Sequence, residues 1–209
     1  MSFRTEEKII IHQNQLKEFK SLILKNHGTK LYPKRKICSL YFDNPVLQMF
    51  ADSEEGTVPR KKIRIRNYPE AKIMSYNLEK KISSVEGRFK KTKKINELDF
   101  NEFCKHGIYD NEYGSCLPKI WVQYYREYFQ LYNQRITIDY KLEYKDFNSK
   151  VILHNQEDLI IEVKGDNKLN KDYFECLIPI RRSRFSKYSD GVKLINSANR
   201  NSFIPSQLG

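Results

Sequence analysis

The sequence predicts a mainly β fold of the α+β class with a few peripheral helices. Stretches rich in β-branched and aromatic residues alternate apolar and polar side chains between turn residues, which is typical of strands. Helical spacing of apolar residues occurs only in short stretches. Because the 209 residues contain no repeat, low-complexity tract or long linker, we expect a single domain over residues 1–209.

The strand pattern is clearest in eight stretches of the sequence. They are residues 5–12, 35–43, 59–68, 74–82, 87–95, 119–131, 134–142 and 158–164, with a weaker ninth stretch around 151–154. Helical patterns are fewer, and they lie at residues 16–28, shortly after Pro45, at 99–106 and at 187–196.

The chain is strongly basic, with 38 lysines and arginines against 26 acidic residues and a formal charge of +12. Such a protein suits a polyanionic partner: nucleic acid, an anionic membrane surface or a phosphate-rich substrate. No stretch of about 18 apolar residues could span a bilayer, and the first residues lack a signal-peptide core. We therefore expect a cytoplasmic protein without a transmembrane segment. The motifs of P-loop, Rossmann, serine-hydrolase and HExxH zinc sites are absent.

Basic side chains share one face of the strand predicted at residues 59–68. Residues two apart on a strand point the same way, so this face carries Arg60, Lys62, Arg64 and Arg66. Like charges in such a row repel unless an anion lies among them, and the arginine fork pairs well with phosphate oxygens. If such strands closed into a barrel with the charges inward, they would form an anion channel. The alternative is an ordinary sheet whose polar face meets water.

Two glutamates interrupt the basic faces, Glu79 in LEKK and Glu162 in IIEVKG. Mg²⁺ and Mn²⁺ prefer carboxylate oxygens and commonly bind through one or two carboxylates together with substrate phosphates. Glu162 is the better candidate because its strand is otherwise apolar. The alternative for Glu162 is a simple ion pair with Lys164 or with a neighbouring arginine.

Eight short motifs occur in an order that resembles a known family. From about Arg4 to Val192 they are RTEEKIII, SLYFDNPVLQMF, RKKIRIRNY, LEKK, VQYYREYF, RITIDYKL, IIEVKG and RFSKYSDGV. Together they resemble the catalytic domain of the vacuolar transporter chaperone (VTC) polyphosphate polymerases, a branch of the triphosphate tunnel metalloenzymes.

The resemblance implies a closed eight-stranded antiparallel β-barrel that forms a tunnel, together with a set of site residues. The implied catalytic residues are Arg64, Arg66, Arg126, Arg135 and Lys187. Further phosphate-binding residues are Lys8, Lys62, Lys81, Lys90, Tyr124, Arg184 and Ser186. Arg184 stands where the family motif has a lysine. Glu162, with Glu79 as a second candidate, would hold Mn²⁺ or Mg²⁺.

The implied activity is transfer of the γ-phosphoryl group of ATP to a growing polyphosphate chain. ATP and polyphosphate are then the expected partners, nucleic acid is not expected, and the oligomeric state is left open. Three alternatives stand beside this reading. One is a triphosphatase on the same fold; another is a nucleic-acid-binding domain in which basic strands and tyrosines form a stacking platform; the third is a polyphosphate-binding module without turnover.

Overall fold

The structure, a computed structural model, describes residues 4–149, 151–155, 157–166 and 185–201. Its strands are β1 (Arg4–His12), β2 (Thr29–Asp43), β3 (Arg60–Asn67), β4 (Tyr76–Ser84), β5 (Gly87–Ile95), β6 (Ile108–Asp110), β7 (Gly114–Leu131), β8 (Gln134–Asp146), β9 (Ile152–Asn155) and β10 (Asp158–Asp166). Its helices are α1 (Leu16–Lys25), α2 (Gln48–Glu55), α3 (Glu97–His106) and α4 (Lys187–Asn201), with a 3-10 turn at Gln13–Gln15. Even α4, the longest of these helices, lacks the length and apolar character needed to cross a membrane.

The mainly β prediction is confirmed, and each of the nine predicted strands has a counterpart. The sequence missed β6, which is only three residues long and therefore too short to show a pattern. It also placed the start of β2 too late, because the basic stretch before residue 35 lacks apolar alternation. The four predicted helices are present with shifted ends.

The strands pair in the order β1–β10–β8–β7–β2–β3–β4–β5, while β6 pairs with β7 and β9 with β8. The path ends at β1 and β5 in the described strand pairing, so the predicted closure into an eight-stranded barrel is wrong for these residues. Strand β5 has the character of an edge: all but its first and last residues are exposed, and it contains four lysines. Exposed lysines of this kind disfavour pairing with a further strand.

The chain divides into two compact units, and four of its described strands contribute to both. Unit 1 comprises Met1–Lys36, Tyr124–Leu142 and His154–Phe185. Its apolar core is formed by isoleucines of β1, β8 and β10 on one face of the strands, covered by Phe19 and Ile23 of α1. Because side chains alternate along a strand, the opposite face of β1, β8 and β10 is left with the polar residues.

Unit 2 comprises Ile37–Gln123, Glu143–Leu153 and Ser186–Gly209. Its core contains Leu40 and Phe42 of β2, Ile63 and Ile65 of β3, and Met49 of α2. The alternate residues of β2 and β3 therefore face the other way. The apolar packing of unit 2 thus fixes the direction in which the arginines of β3 project.

Asp43 ties the end of β2 to α2 and α4 within unit 2. Its carboxylate accepts hydrogen bonds from the backbone N–H groups of Met49 at 3.0 Å and Phe50 at 2.9 Å, at the start of α2. The hydroxyl of Tyr188 in α4 donates to the same carboxylate at 2.6 Å. These bonds satisfy backbone donors that a helix start leaves without partners.

Candidate functional site

The polar face of β3, β4 and β5 in unit 2 carries its charges in cross-strand rows. In the register, Lys62 lies opposite Lys81, and Lys81 lies opposite Lys90. Like charges directly opposite each other are destabilising in a sheet. This lysine row therefore repels itself unless an anion or a carboxylate lies close by.

The next row of the same face contains an arginine and a glutamate. Arg64 lies opposite Glu79, and its Nε and Nη2 are 2.7 and 2.6 Å from the Glu79 Oε2 atom. Lys90 reaches diagonally from β5 to the other carboxylate oxygen, at 2.5 Å. The side chains of Arg64 and Glu79 are only 8% and 4% exposed, whereas that of Lys90 is 46% exposed. The carboxylate is thus enclosed by cations.

The cations around Glu79 control its protonation. Burial alone would raise the pKa of the carboxyl group, but the charges of Arg64 and Arg66 and the hydrogen bonds from Lys90 and Arg64 lower it to about 2. Glu79 is therefore ionised at neutral pH. Its carboxylate positions Arg64 and Lys90, which favours an ion-pairing role; the metal-binding role implied by the resemblance stays a prediction.

Tyr41 of β2 lies opposite Arg64 and is 5% exposed. Its hydroxyl oxygen accepts a hydrogen bond from Arg64 Nη1 at 2.8 Å, and its ring stacks on Tyr188 with centroids 5.2 Å apart. Burial would raise the pKa of this phenol, but the charges of Arg64, Arg66 and Lys187 lower it. Among the described residues the Tyr41 O–H has no acceptor. An anionic ligand oxygen could accept this proton.

Further contacts in unit 2 involve the predicted residues Arg66, Lys62, Ser186 and Lys187. Arg66, 7% exposed, donates from Nε to Ser39 Oγ at 3.1 Å. Lys62 Nζ donates to Ser186 Oγ at 2.7 Å, and Lys187, 8% exposed, begins α4 beside Ser186. The structure therefore brings the predicted phosphate ligands of unit 2 onto one polar region.

Arg60 departs from the basic face predicted for residues 59–68. Its Nη1 donates to the carbonyl oxygens of Gly56 at 3.2 Å and Thr57 at 2.9 Å, in the loop that precedes β3. This side chain supports the loop after α2, which leaves Lys62, Arg64 and Arg66 as the cations of β3 that are grouped with Glu79.

Unit 1 carries a second polar row, which contains Glu162. Lys8 of β1 lies opposite Glu162 of β10, and Glu162 lies opposite Thr137 of β8. The Lys8 Nζ donates to the carbonyl oxygen of Phe185 at 2.9 Å. The row thus places a cation, a carboxylate and a hydroxyl side by side on three adjacent strands.

Arg126 of β7 links this row to a second carboxylate. Its Nε and Nη2 donate to the two oxygens of Asp139 at 2.5 and 2.6 Å, and its Nη2 is 3.6 Å from Glu162 Oε2. Burial would lower the pKa of Arg126, but Asp139, Tyr124 and Glu162 raise it above its ordinary value. Its guanidinium also lies 5.4 Å from the ring centre of Tyr124, which is 2% exposed.

Glu162 makes looser ionic contacts than Asp139 does. Its Oε2 atom is 3.6 Å from Arg126 and 3.7 Å from Lys164, beyond direct hydrogen-bond distance. These contacts match the ion-pair alternative for this residue.

The predicted metal can be tested against the residues around Glu162. Thr137, 2% exposed and directly opposite Glu162, has a buried Oγ1 atom without a hydrogen-bond partner in the described structure. A buried hydroxyl of this kind points to a ligand or water that completes its bonding. Among the described residues no group of three or more His, Cys, Asp or Glu could hold a metal alone. The residues therefore fit an ion bound through Glu162 together with substrate oxygens and water.

The predicted site residues fall into two sets. Unit 2 contains Lys62, Arg64, Arg66, Glu79, Lys81, Lys90, Ser186 and Lys187, and unit 1 contains Lys8, Tyr124, Arg126, Arg135 and Glu162. Arg135 differs from the other predicted arginines of the described structure because it is exposed, opposite Lys164. Arg184 lies outside the described residues. The functional roles of all these residues stay predictions.

Sequence reasoning missed four residues of these regions: Ser39, Tyr41, Thr137 and Asp139. Each shares its strand face with a predicted ligand or lies opposite one, as Tyr41 does for Arg64. Alternation along β8 did place Thr137 and Asp139 on the face of Arg135, but it could not reveal that Asp139 clamps Arg126. Cross-strand register was the missing information.

Comparison with known proteins relates this chain to one family and to several solved structures. The family model named VTC domain matches residues 3–115 and 108–196. A search of curated proteins gives no match. A protein from Pyrococcus horikoshii OT3 is 13% identical at a TM-score of 0.59, over 93% of this chain and 99% of that one.

Two candidate adenylate cyclases have a similar structure. The one from Vibrio parahaemolyticus is 13% identical at a TM-score of 0.55, over 92% of this chain and 98% of that one. The one from Bacillus halodurans is 12% identical at a TM-score of 0.52, over 100% of this chain and 93% of that one. At such identities the likeness shows a common fold. The VTC domain match spans nearly the whole sequence, and the chain therefore belongs to the VTC domain family.

Proposed function

We propose that this chain is a polyphosphate polymerase that transfers the γ-phosphoryl group of ATP to the terminal phosphate of a growing polyphosphate chain. The observation that carries the proposal is the polar face of β3, β4 and β5, where Lys62, Lys81 and Lys90 lie in one row beside Arg64 and a single glutamate. These four cations outnumber the one carboxylate beside them, so a further anion would reduce their mutual repulsion. Membership of the VTC domain family supports phosphate polymers as that anion.

The phosphate ligands in unit 2 are proposed to act as a preorganised set. Arg64 is fixed by Glu79, and Arg66 contacts Ser39, so neither side chain has to be ordered when substrate binds. Tyr41 adds an O–H donor whose acidity is increased by the neighbouring cations. Such fixed donors stabilise the charge that develops on the transferring phosphoryl oxygens.

In unit 1, Glu162 and Thr137 are proposed to hold the divalent ion, Mn²⁺ or Mg²⁺. When bound, the ion would neutralise the charge of phosphate oxygens. Lys8 and Arg126, on either side of Glu162, are proposed to bind phosphate oxygens as well. Arg135 and Arg184 keep their predicted phosphate-binding roles as proposals.

The reaction needs little covalent participation by the protein. A terminal oxygen of the polyphosphate chain forms a bond to the γ-phosphorus of ATP while the bond to the β–γ bridging oxygen breaks, and ADP leaves with that electron pair. The arginines and lysines offset the charge on the equatorial and leaving oxygens. Hydrolysis would use the same ligands with water as the acceptor, so a triphosphatase is the alternative activity.

The test is the Arg66→Ala variant, incubated with ATP and Mn²⁺ beside the parent protein. We expect synthesis to fall by about 10²- to 10³-fold, the loss typical of one removed transition-state donor, while the far-UV circular dichroism spectrum is unchanged. Lys91→Ala is the matched control, because it removes one charge from the exposed, opposite face of β5 and should leave the rate unchanged.

Product analysis separates the two activities. A polymerase yields a long anionic polymer on a gel together with ADP, whereas a triphosphatase yields inorganic phosphate. Release of phosphate alone by the parent protein would refute polymer synthesis. Parent-level synthesis by Arg66→Ala would remove that residue from the proposed site.

A further inference from the structure

A second group of cations lies in unit 1, on the N-terminal half of β2. The sequence Lys34-Arg35-Lys36, which we name the KRK segment, belongs to a stretch from Thr29 that is mostly exposed. The pairing of β2 with β3 involves residues 38–42, so the KRK segment takes no part in it. None of the residues assigned above to phosphate or metal binding lies on this stretch.

Each cation of the KRK segment is placed against a tyrosine ring. The Nζ atoms of Lys34 and Lys36 lie 4.8 and 6.0 Å from the ring centre of Tyr125. The guanidinium carbon of Arg35 lies 5.5 Å from the ring centre of Tyr32 and 5.7 Å from that of Tyr128. Cation–π contacts of this kind attract and orient a cation at the protein surface.

A cation–π contact differs from an ion pair because the tyrosine ring is neutral, so the charge of the lysine or arginine is not neutralised. Elsewhere in unit 1, Arg126 is neutralised by Asp139 and Lys20 by Glu127, at 2.7 Å for the lysine pair. In the described structure no salt bridge reaches the KRK segment. Three consecutive cations are thus positioned at the surface with their charge uncompensated, which attracts a polyanion.

The tyrosine rings disfavour nucleic acid as that polyanion. A single strand binds by stacking its bases on accessible ring faces. Here Tyr125 is covered by lysines and stacks with Tyr140 at 6.0 Å, while Tyr32 and Tyr128 pack edge to face at 5.5 Å with Arg35 against both. The rings serve to hold cations, which suits a linear anion that has phosphates and no bases.

We infer that the KRK segment is a docking site for a chain of inorganic polyphosphate, separate from the residues that bind the reacting phosphates. The inference rests on the proposed function for the identity of the polymer. Long chains would contact the KRK segment in addition to the catalytic residues, and a second contact raises the local concentration of the chain. Tripolyphosphate, which has only three phosphate groups, should gain little from the KRK segment.

The experiment measures binding of purified long-chain polyphosphate and of tripolyphosphate to the full chain by isothermal titration calorimetry. The triple variant K34Q/R35Q/K36Q should bind long-chain polyphosphate about tenfold more weakly, as expected for the loss of two exposed charges and one half-buried charge. Its affinity for tripolyphosphate should stay within about twofold of the parent value. The control K91Q/K93Q/K105Q removes the same charge from exposed positions and should match the parent protein.

A tyrosine variant tests the role of the rings. Tyr125→Leu should weaken long-chain binding and Tyr125→Phe should not, because phenylalanine keeps the ring that holds Lys34 and Lys36. Equal weakening by the KRK triple variant and its control would overturn the inference, and so would stronger binding of single-stranded RNA than of polyphosphate. Supplied polymer is used throughout, so the outcome is independent of whether the protein synthesises it from ATP.

Discussion

Replacing Glu79 by Gln tests the ion-pair cluster of unit 2 directly. In the folded protein the pKa of Glu79 is about 2, against an ordinary value of 4.5. One pKa unit corresponds to about 1.4 kcal/mol, so the ionised carboxylate contributes about 3 kcal/mol to the free energy of unfolding at neutral pH. This is an upper value, because the Lys90 side chain is 46% exposed and water screens its share.

The sign of the pH dependence follows from the lowered pKa. The stabilisation is complete above the unfolded value near 4.5 and is lost as pH falls towards 2, when the folded carboxylate takes up its proton. The difference in unfolding free energy between the parent protein and Glu79→Gln should therefore be largest at pH 7. At pH 3 it should be about half as large.

Urea denaturation of both proteins at pH 7 and pH 3 measures these differences. The buffer must contain no phosphate or sulfate, because a bound anion would replace part of the lost interaction with Arg64. Glu102→Gln is the control, since this exposed glutamate of α3 pairs with the exposed Lys105 and His106 and should change stability by less than about 0.5 kcal/mol. A loss for Glu79→Gln that is equal at both pH values would refute the ion-pair account.

Three further predictions concern single side chains. Tyr41→Phe should weaken tripolyphosphate binding about tenfold in a titration, because the ligand loses one hydrogen-bond donor, and should lower the unfolding temperature by about 2–4 °C, because Arg64 Nη1 loses its buried acceptor. Glu162→Gln should raise the Mn²⁺ concentration for half-maximal activity by about 10- to 100-fold, with Glu143→Gln unchanged. Gly191→Ala should destabilise the fold by about 1–3 kcal/mol in urea, because a Cβ atom would lie 2.5 Å from side-chain carbons of Ile120 and Tyr144.

Much of the fold was predictable because its strands have one apolar face. The Ile63 and Ile65 positions identified the buried side of β3, and the structure places both in the core of unit 2. Whether the sheet closes into a barrel was not predictable in the same way. It depends on pairing between strands that are distant in the sequence, which side-chain alternation within one strand does not determine.

From the sequence, only part of the candidate site could be predicted: the charged residues that lie on a recognisable strand. Alternation placed Arg64 and Arg66 on one face, and both are buried there. It could not distinguish them from Arg135, which is exposed, because burial depends on the neighbouring strands rather than on the residue itself. Tyr41 lies outside any charge pattern, and only its register opposite Arg64 relates it to the cations.

The side-chain donors of the two polar regions argue for different ligands in the two units. Around Glu79, the cations Lys62, Arg64, Arg66 and Lys90 outnumber the carboxylates, which favours an anion. Around Glu162, by contrast, Arg126 is already neutralised by the bidentate contact with Asp139. Glu162 has Lys8 opposite it and Lys164 at 3.7 Å, and it also lies opposite Thr137, whose Oγ1 atom has no hydrogen-bond partner in the described structure. A carboxylate and a hydroxyl side by side are oxygen ligands that suit a divalent cation bound together with phosphate groups. Salt should therefore weaken tripolyphosphate binding by the parent protein more than by a variant that lacks Arg66.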